Sequence, residues 1–266
     1  MRNASPGAAV FAVLMWTLIG LVTLVMSLLT LLVAALTPGD RQRRAAHVVA
    51  GWWGQSIFLL MPTWRLRVKG RERIDPRRRY LLVSNHQSLF DIMAVYGVRR
   101  QFKWMAKDSL FRVPFLGWAM SAAKYIRLVR GVKESIRESA KQTKGWLNQG
   151  MSVLIFPEGT RSGGAEMLPF KNGAFKLAIE LRVPIVPIAI DGSWKLLSRG
   201  GWRIQPTARV RVGVLPPVDP AGYDPGDHER FRETVRGMIQ DQLDRWHRAG
   251  ESRSTVASAT SGKRSG

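Results

Sequence analysis

The chain has 266 residues, enough for one sizeable domain plus an anchor and too few for two large domains. Hydrophobic residues make up 45% of it, which supplies a packed core, and the absence of cysteine excludes disulfides, thiolate metal sites and a cysteine acyl-enzyme. A net charge of +22 raises the local concentration of anionic partners, whether nucleic acid, anionic lipid or an acidic carrier protein, and does not choose among them.

Ala8 to Leu36 carries no charged side chain. A membrane span needs roughly 20 such residues, whereas a secretory signal has an apolar core of only about 7–15. The segment is therefore expected to be a retained transmembrane helix, ended by the turn Thr37-Pro38-Gly39-Asp40. Arg41, Arg43 and Arg44 follow it and only Arg2 precedes it, which by the positive-inside rule puts the body of the protein in the cytoplasm. Val48 to Met61 is again uncharged but shorter than a span. It reads equally as an interfacial or re-entrant helix, with Trp52 and Trp53 at headgroup level, or as an ordinary buried helix. In Trp64 to Arg79, Leu66 and Val68 alternate with Arg65, Arg67 and Lys69, a strand pattern inside a basic cluster that favours anionic headgroups.

From Tyr80 the chain alternates strands and helices. Strands are expected at Tyr80–Ser84, Gln101–Ala106, Ser152–Phe156, Ile185–Ile190 and Ala208–Leu215. Helices are expected at Ser88–Val98, with Asp91 in the first turn, at Gly173–Leu181, and at Val132–Gln149, with Ile136, Ala140, Thr143 and Leu147 on one face. A last helix, His228–Trp246, has Phe231, Val235, Ile239 and Leu243 in register. The alternation predicts an α/β layer structure. The Ser/Thr/Gly/Ala-rich tail, 249–266, is expected to be disordered.

Of the four histidines, His47, His228 and His247 sit in helical or basic stretches without an evident partner. His86 directly follows an apolar strand, in Ser84-Asn85-His86-Gln87-Ser88-Leu89-Phe90-Asp91. Ligands in open α/β sheets gather beyond the carboxyl ends of strands. A turn can bring Asp91 back to the imidazole, fixing its tautomer and fitting His86 to take a proton from a hydroxyl. Taken alone, the octapeptide fits a plain helix cap as well. A second block, Phe156-Pro157-Glu158-Gly159-Thr160-Arg161-Ser162-Gly163-Gly164, also follows a strand. Its glycines allow close backbone approach and Arg161 offers a planar fork suited to phosphate, but the Gly-Lys-Ser/Thr ending of a nucleotide-binding loop is missing. Together the two blocks suit a substrate bearing both a hydroxyl and a phosphate. No Gly-x-Ser-x-Gly elbow supports a serine acyl-enzyme, so direct attack of the hydroxyl on an acyl thioester is the simpler scheme.

Asn85-His86-Gln87-Ser88-Leu89-Phe90-Asp91 resembles the His-x-x-x-x-Asp block of the glycerolipid acyltransferases, and Phe156-Pro157-Glu158-Gly159-Thr160-Arg161-Ser162 resembles their substrate-binding block. Val183-Pro184-Ile185-Val186-Pro187-Ile188-Ala189 is similar to their apolar fourth block, and Lys107 to Trp118 to the intervening run. Four blocks in the right order, over roughly residues 65–215, are seldom supplied by chance. The group most resembled is the bacterial 1-acyl-sn-glycerol-3-phosphate acyltransferases, which make phosphatidic acid.

The resemblance implies a sheet flanked by helices, with a membrane anchor at 1–62 and an acyltransferase domain at 63–248. It implies His86 as general base and Asp91 as its orienting partner. Asn85, Glu158, Gly159, Thr160 and Arg161 would line the substrate site. The family's second block often reads Gly-x-Ile-Phe-x-Asp-Arg; here Lys124-Tyr125-Ile126-Arg127-Leu128-Val129-Arg130 aligns Arg130 with the phosphate-contacting arginine, with Arg127 as a second candidate. The glycine and aspartate of that block are replaced by Lys124 and Val129, which keeps glycerol 3-phosphate and a lyso-ornithine lipid open as acceptors; the +22 charge and the Arg65–Arg79 cluster also fit a non-catalytic membrane-tethered polyanion-binding module, which gives no reason for the spaced His86 and Asp91. The implied donor is acyl-ACP or acyl-CoA, with no metal or cofactor and no nucleic acid. The implied partners are a lysophospholipid and anionic membrane lipids, and the implied location is the inner membrane, facing the cytoplasm.

Overall fold

The computed structural model describes residues 6–197 and 200–261, with side-chain surroundings given as far as residue 249. The chain opens with two packed helices, α1 (Pro6–Leu36) and α2 (Arg44–Leu59). α1 is long and apolar enough to cross a membrane by length and composition. It is nevertheless two-sided. Ala12, Met15, Ile19, Ser27, Thr30 and Ala34 are buried against protein, while Leu14, Leu18, Leu21, Val25, Leu28 and Leu32 are exposed. The inward residues are mostly small, which lets the helices approach closely, and Trp53 Nε1 donates to Thr23 Oγ1 across the pair at 3.0 Å. Arg43 Nη1 donates to the carbonyls of Ala34 and Thr37 at 2.7 and 3.1 Å, satisfying acceptors left open at the end of α1.

α2 starts earlier than the uncharged run. Its inner side buries His47, Val49, Ile57 and Phe58, and Trp52 and Leu59 face outward. Of the two readings of 48–61, the buried helix describes one side and an apolar outer surface the other. Residues of α1 and α2 share one apolar cluster with Leu82, Phe90 and Val186, so the two helices pack into the body without a break at residue 62.

Seven strands form one mixed sheet: β1 (Trp64–Lys69), β2 (Leu81–Ser84), β3 (Phe102–Lys107), β4 (Ile126–Leu128), β5 (Ser152–Ile155), β6 (Ile185–Asp191) and β7 (Ala208–Val214), in the spatial order β1-β7-β6-β2-β5-β3-β4. All neighbours are parallel except β6 and β7. β2 and β6 read as continuous apolar runs because both faces of the sheet are covered. Leu82, Val186, Ile188 and Ile190 point into the cluster beneath α1, α2 and α3 (Phe90–Val95). Leu81, Val83, Ile185 and Ala189 point into the opposite one, against α6 (Lys133–Asn148), α7 (Gly173–Leu181) and α8 (His228–Ser261).

Some elements differ from expectation. β4 and the short helices α4 (Asp108–Phe111) and α5 (Leu116–Ala122) lie where no element is predicted. They are too short to carry a period, and packing on α1 and β3 holds them. In α6 the buried residues are Ser139, Thr143 and Leu147, whereas Ile136 is 49% exposed. Phe231, Val235, Ile239 and Leu243 of α8 are fully buried, as their spacing requires. α8 runs on to Ser261, past the expected start of a disordered tail at 249; a single glycine costs a helix only about 1 kcal/mol, and no proline intervenes. Residues 262–266 of that tail lie outside the described residues.

Candidate active site

β2 is paired with β6 on one side and β5 on the other. Their carboxyl ends lie together, so the segments after β2 and β5 leave the sheet as neighbours at the edge where α/β sheets bind ligands. The two segments are stitched by their backbones: Ser162 N donates to His86 O at 2.8 Å and Gly163 N to Gln87 O at 3.2 Å.

His86 Nδ1 lies 2.8 Å from Asp91 Oδ2. Asp91 is fully buried and His86 is 8% exposed. The same carboxylate oxygen accepts from Gln87 N at 2.6 Å and Ser88 N at 2.8 Å, so the turn that returns Asp91 to the imidazole is closed by Asp91 itself. The other oxygen accepts from Ser193 Oγ, on the turn after β6. With the carboxylate as acceptor, Nδ1 carries the hydrogen and Nε2 presents a lone pair. The imidazole stacks on Phe156 at 4.3 Å between centroids, which fixes its plane.

Asn85, expected at the substrate site, hydrogen-bonds the backbone of β6. Nδ2 donates to Ile190 O and Oδ1 accepts from Ile190 N, each at 2.8 Å. It ties the His86 segment to β6. Glu158 is likewise turned inward: Oε1 accepts from His86 N at 2.6 Å and Oε2 from Leu168 N at 3.1 Å. Burial pushes its carboxyl pKa up to about 7, against the two amide hydrogen bonds that pull it down. Gly159 has φ +70°, a left-handed conformation that favours glycine, and a Cβ there would stand 2.8 Å from Lys171 Nζ, so the lysine would have to shift.

Thr160 and Arg161 are half-buried at the mouth. Arg130, from the segment after β4, is exposed and comes near Arg161. Its guanidinium pKa is lowered, first by partial desolvation and then by the positive Arg161. Among the described residues no carboxylate pairs with either arginine. Two neighbouring guanidinium groups of this kind have the chemistry that suits an anion. Arg127, the second candidate, is engaged elsewhere, 3.6 Å from Asp108 and over the ring of Phe111.

An apolar cavity of about 470 Å³ lies beneath α1. Gly20, Thr23, Ala50, Leu89, Tyr96 and Ala119 are among its lining residues, and Leu89 connects it to the segment between His86 and Asp91. Neither the cavity nor Ser193 is legible in the sequence, because both are assembled from distant segments. Two of the other histidines have partners after all. His47 is buried between Tyr125 OH and Arg100 O, each at 3.0 Å, and His247 Nε2 lies 3.2 Å from Asp191 Oδ1. Among the described residues no group of three or more His, Asp or Glu side chains is placed to hold a metal ion.

Residues 65–191 match the family model described as Acyltransferase. A 1-acyl-sn-glycerol-3-phosphate acyltransferase of Haemophilus influenzae is 31% identical over 180 residues, covering 66% of this chain and 72% of that protein. The chain therefore belongs to the acyltransferase family, and its fold agrees with that membership. Within the family it is similar to proteins named 1-acyl-sn-glycerol-3-phosphate acyltransferase. A chloroplastic one from Brassica napus is 34% identical over 182 residues, 67% of this chain and 52% of that protein, so the chain spans about half the length of such plant relatives. The crystal structure of the 1-acyl-sn-glycerophosphate (LPA) acyltransferase PlsC from Thermotoga maritima superimposes with a TM-score of 0.75 at 26% identity, covering 90% of this chain and 95% of that one.

Proposed function

We propose that the protein transfers an acyl chain from acyl-ACP or acyl-CoA to the sn-2 hydroxyl of 1-acyl-sn-glycerol 3-phosphate, forming phosphatidic acid. The observation that carries this reading is the His86–Asp91 pair at 2.8 Å, at a sheet edge that also holds the unpaired Arg161 and Arg130. His86 Nε2 takes the proton of the acceptor hydroxyl as its oxygen attacks the thioester carbonyl. The tetrahedral intermediate then expels the thiolate, which takes the proton back from the imidazolium. Asp91 holds the tautomer and stabilises the imidazolium between these steps. The acceptor phosphate rests on Arg161 and Arg130, with Thr160 beside them. The thioester's acyl chain lies in the 470 Å³ cavity, whose size falls in the range of small-molecule sites.

The exposed leucine and valine stripe of α1, with Trp52 and Leu59, seats the protein in the inner membrane from the cytoplasmic side, where lysolipid and thioester meet. Asn85 and Glu158 act by holding the two segments in place rather than by touching substrate.

The test is acyl transfer to lysophosphatidic acid by wild type and His86→Ala side by side, with both thioester donors and with glycerol 3-phosphate and a lyso-ornithine lipid as competing acceptors. Phosphatidic acid from the wild type, and about 10²–10⁴-fold less from the variant, is expected. Equal rates from both proteins would refute His86 as base, and preference for another acceptor would refute the substrate.

A further inference from the structure

The fourth sequence block, Val183–Ala189, is apolar, yet the chain beyond it runs on through Asp191-Gly192-Ser193, and this continuation reaches the reacting pair. Asp91 Oδ2 is occupied by His86 and by two backbone amides of its own turn. Among the described residues, Asp91 Oδ1 accepts its hydrogen bond from Ser193 Oγ. Asp91 and Ser193 are both fully buried, and 102 residues separate them in sequence. Water does not compete for the carboxylate, so its orientation depends on these donors.

Ser193 itself is held rigidly. Gly192 has φ +88°, and a Cβ there would stand 2.1 Å from Arg209 O, so the turn is fixed against β7. Asp191 is paired with Arg211 Nη2 at 2.6 Å. Ser88 Oγ donates to Leu197 O at 3.3 Å, and Asn85 is tied to Ile190, so β6 and the segment after it hold the His86 block at Asn85 and Ser88. Gln87 Oε1 lies 3.3 Å from Ser193 Oγ, and among the described residues the buried Gln87 Nε2 has no partner. The serine proton goes to the carboxylate. An amide turned over would then let Gln87 Nε2 donate to Ser193 Oγ, completing a chain from Gln87 through Ser193 and Asp91 to His86.

We propose that Ser193 is a positioning residue for acyl transfer: its hydroxyl fixes Asp91 so that the carboxylate holds His86 with Nε2 facing the acceptor hydroxyl. This rests on the reading of His86 as base. Acyl transfer to lysophosphatidic acid is measured for wild type, His86→Ala, Ser193→Ala and Ser193→Cys, and for Ser193→Ala in an Asp91→Ala background. Alanine removes the donor, whereas cysteine keeps nearly the volume of serine with a weak donor. A fall in kcat of about tenfold is expected in both single serine variants, with KM for both substrates unchanged. No further loss is expected when Asp91 is already alanine. Should the alanine variant fail to fold, the cysteine variant decides alone. Wild-type kcat in Ser193→Cys, or an equal loss with and without Asp91, would show that Ser193 acts by packing only. Full activity in His86→Ala would overturn the reading beneath; an inactive His86→Ala beside fully active serine variants would overturn the Ser193 proposal alone.

Discussion

The backbone amide of His86 donates a 2.6 Å hydrogen bond to Glu158 Oε1. A carboxylate expected to face substrate instead fastens one loop of the site to the other. Its burial raises its pKa from 4.5 to about 7, which has a definite sign for stability. A carboxyl group whose pKa is higher in the folded state contributes stability that is fully present below about pH 4.5 and is lost as pH rises through about 7. Wild type should therefore lose about 2 kcal/mol between pH 5 and 7 relative to Glu158→Gln, which has no proton to lose. Chemical denaturation of both proteins at several pH values measures this. Parallel curves would show that Glu158 is not destabilised by ionisation.

Lys103 predicts the opposite slope at higher pH. It is fully buried on β3, donates to Ala123 O at 2.7 Å and lies over the ring of Trp146. Desolvation lowers its pKa from 10.5 to about 7. Stability from such a group is present above the unfolded pKa and lost as pH falls through the folded one, so wild type should gain about 2 kcal/mol from pH 7 to 9. Lys103→Met should lack that gain in the same denaturation experiment.

The adjacent arginines predict a binding defect. Arg161→Ala and Arg130→Ala should each raise KM for lysophosphatidic acid about tenfold, because each removes a charge-assisted hydrogen bond to phosphate. Activity toward monoacylglycerol, which lacks the phosphate, should be untouched. Arg127→Ala should leave the KM for lysophosphatidic acid unchanged, since Asp108 and Phe111 already occupy that side chain. Steady-state kinetics with both acceptors checks all three variants.

Gly20 lines the apolar cavity, and a Cβ built there meets nothing within 4 Å. Gly20→Leu should therefore fold normally, since leucine also has the higher helix propensity, and should shorten the space for an acyl chain. Relative rates with a series of thioester chain lengths should shift toward shorter donors. An unchanged preference would place the chain elsewhere.

The sequence by itself determined the elements whose side chains repeat with a period and the residues held close along the chain. Phe231, Val235, Ile239 and Leu243 mark the buried face of α8, and the apolar runs of β2, β5 and β6 mark strands covered on both faces. The link between His86 and Asp91 was legible because one turn closes it. Arg130 was legible only through family resemblance, and the fold brings it near Arg161. Tertiary structure alone decided what depends on strand order. Placing β2 between β5 and β6 turns Asn85 and Glu158 inward to satisfy buried amides, and puts Ser193 against Asp91. It also made α1 a two-sided helix over a cavity. An uncharged run specifies that a helix avoids water, while the residues that cover each of its sides come from elsewhere in the chain.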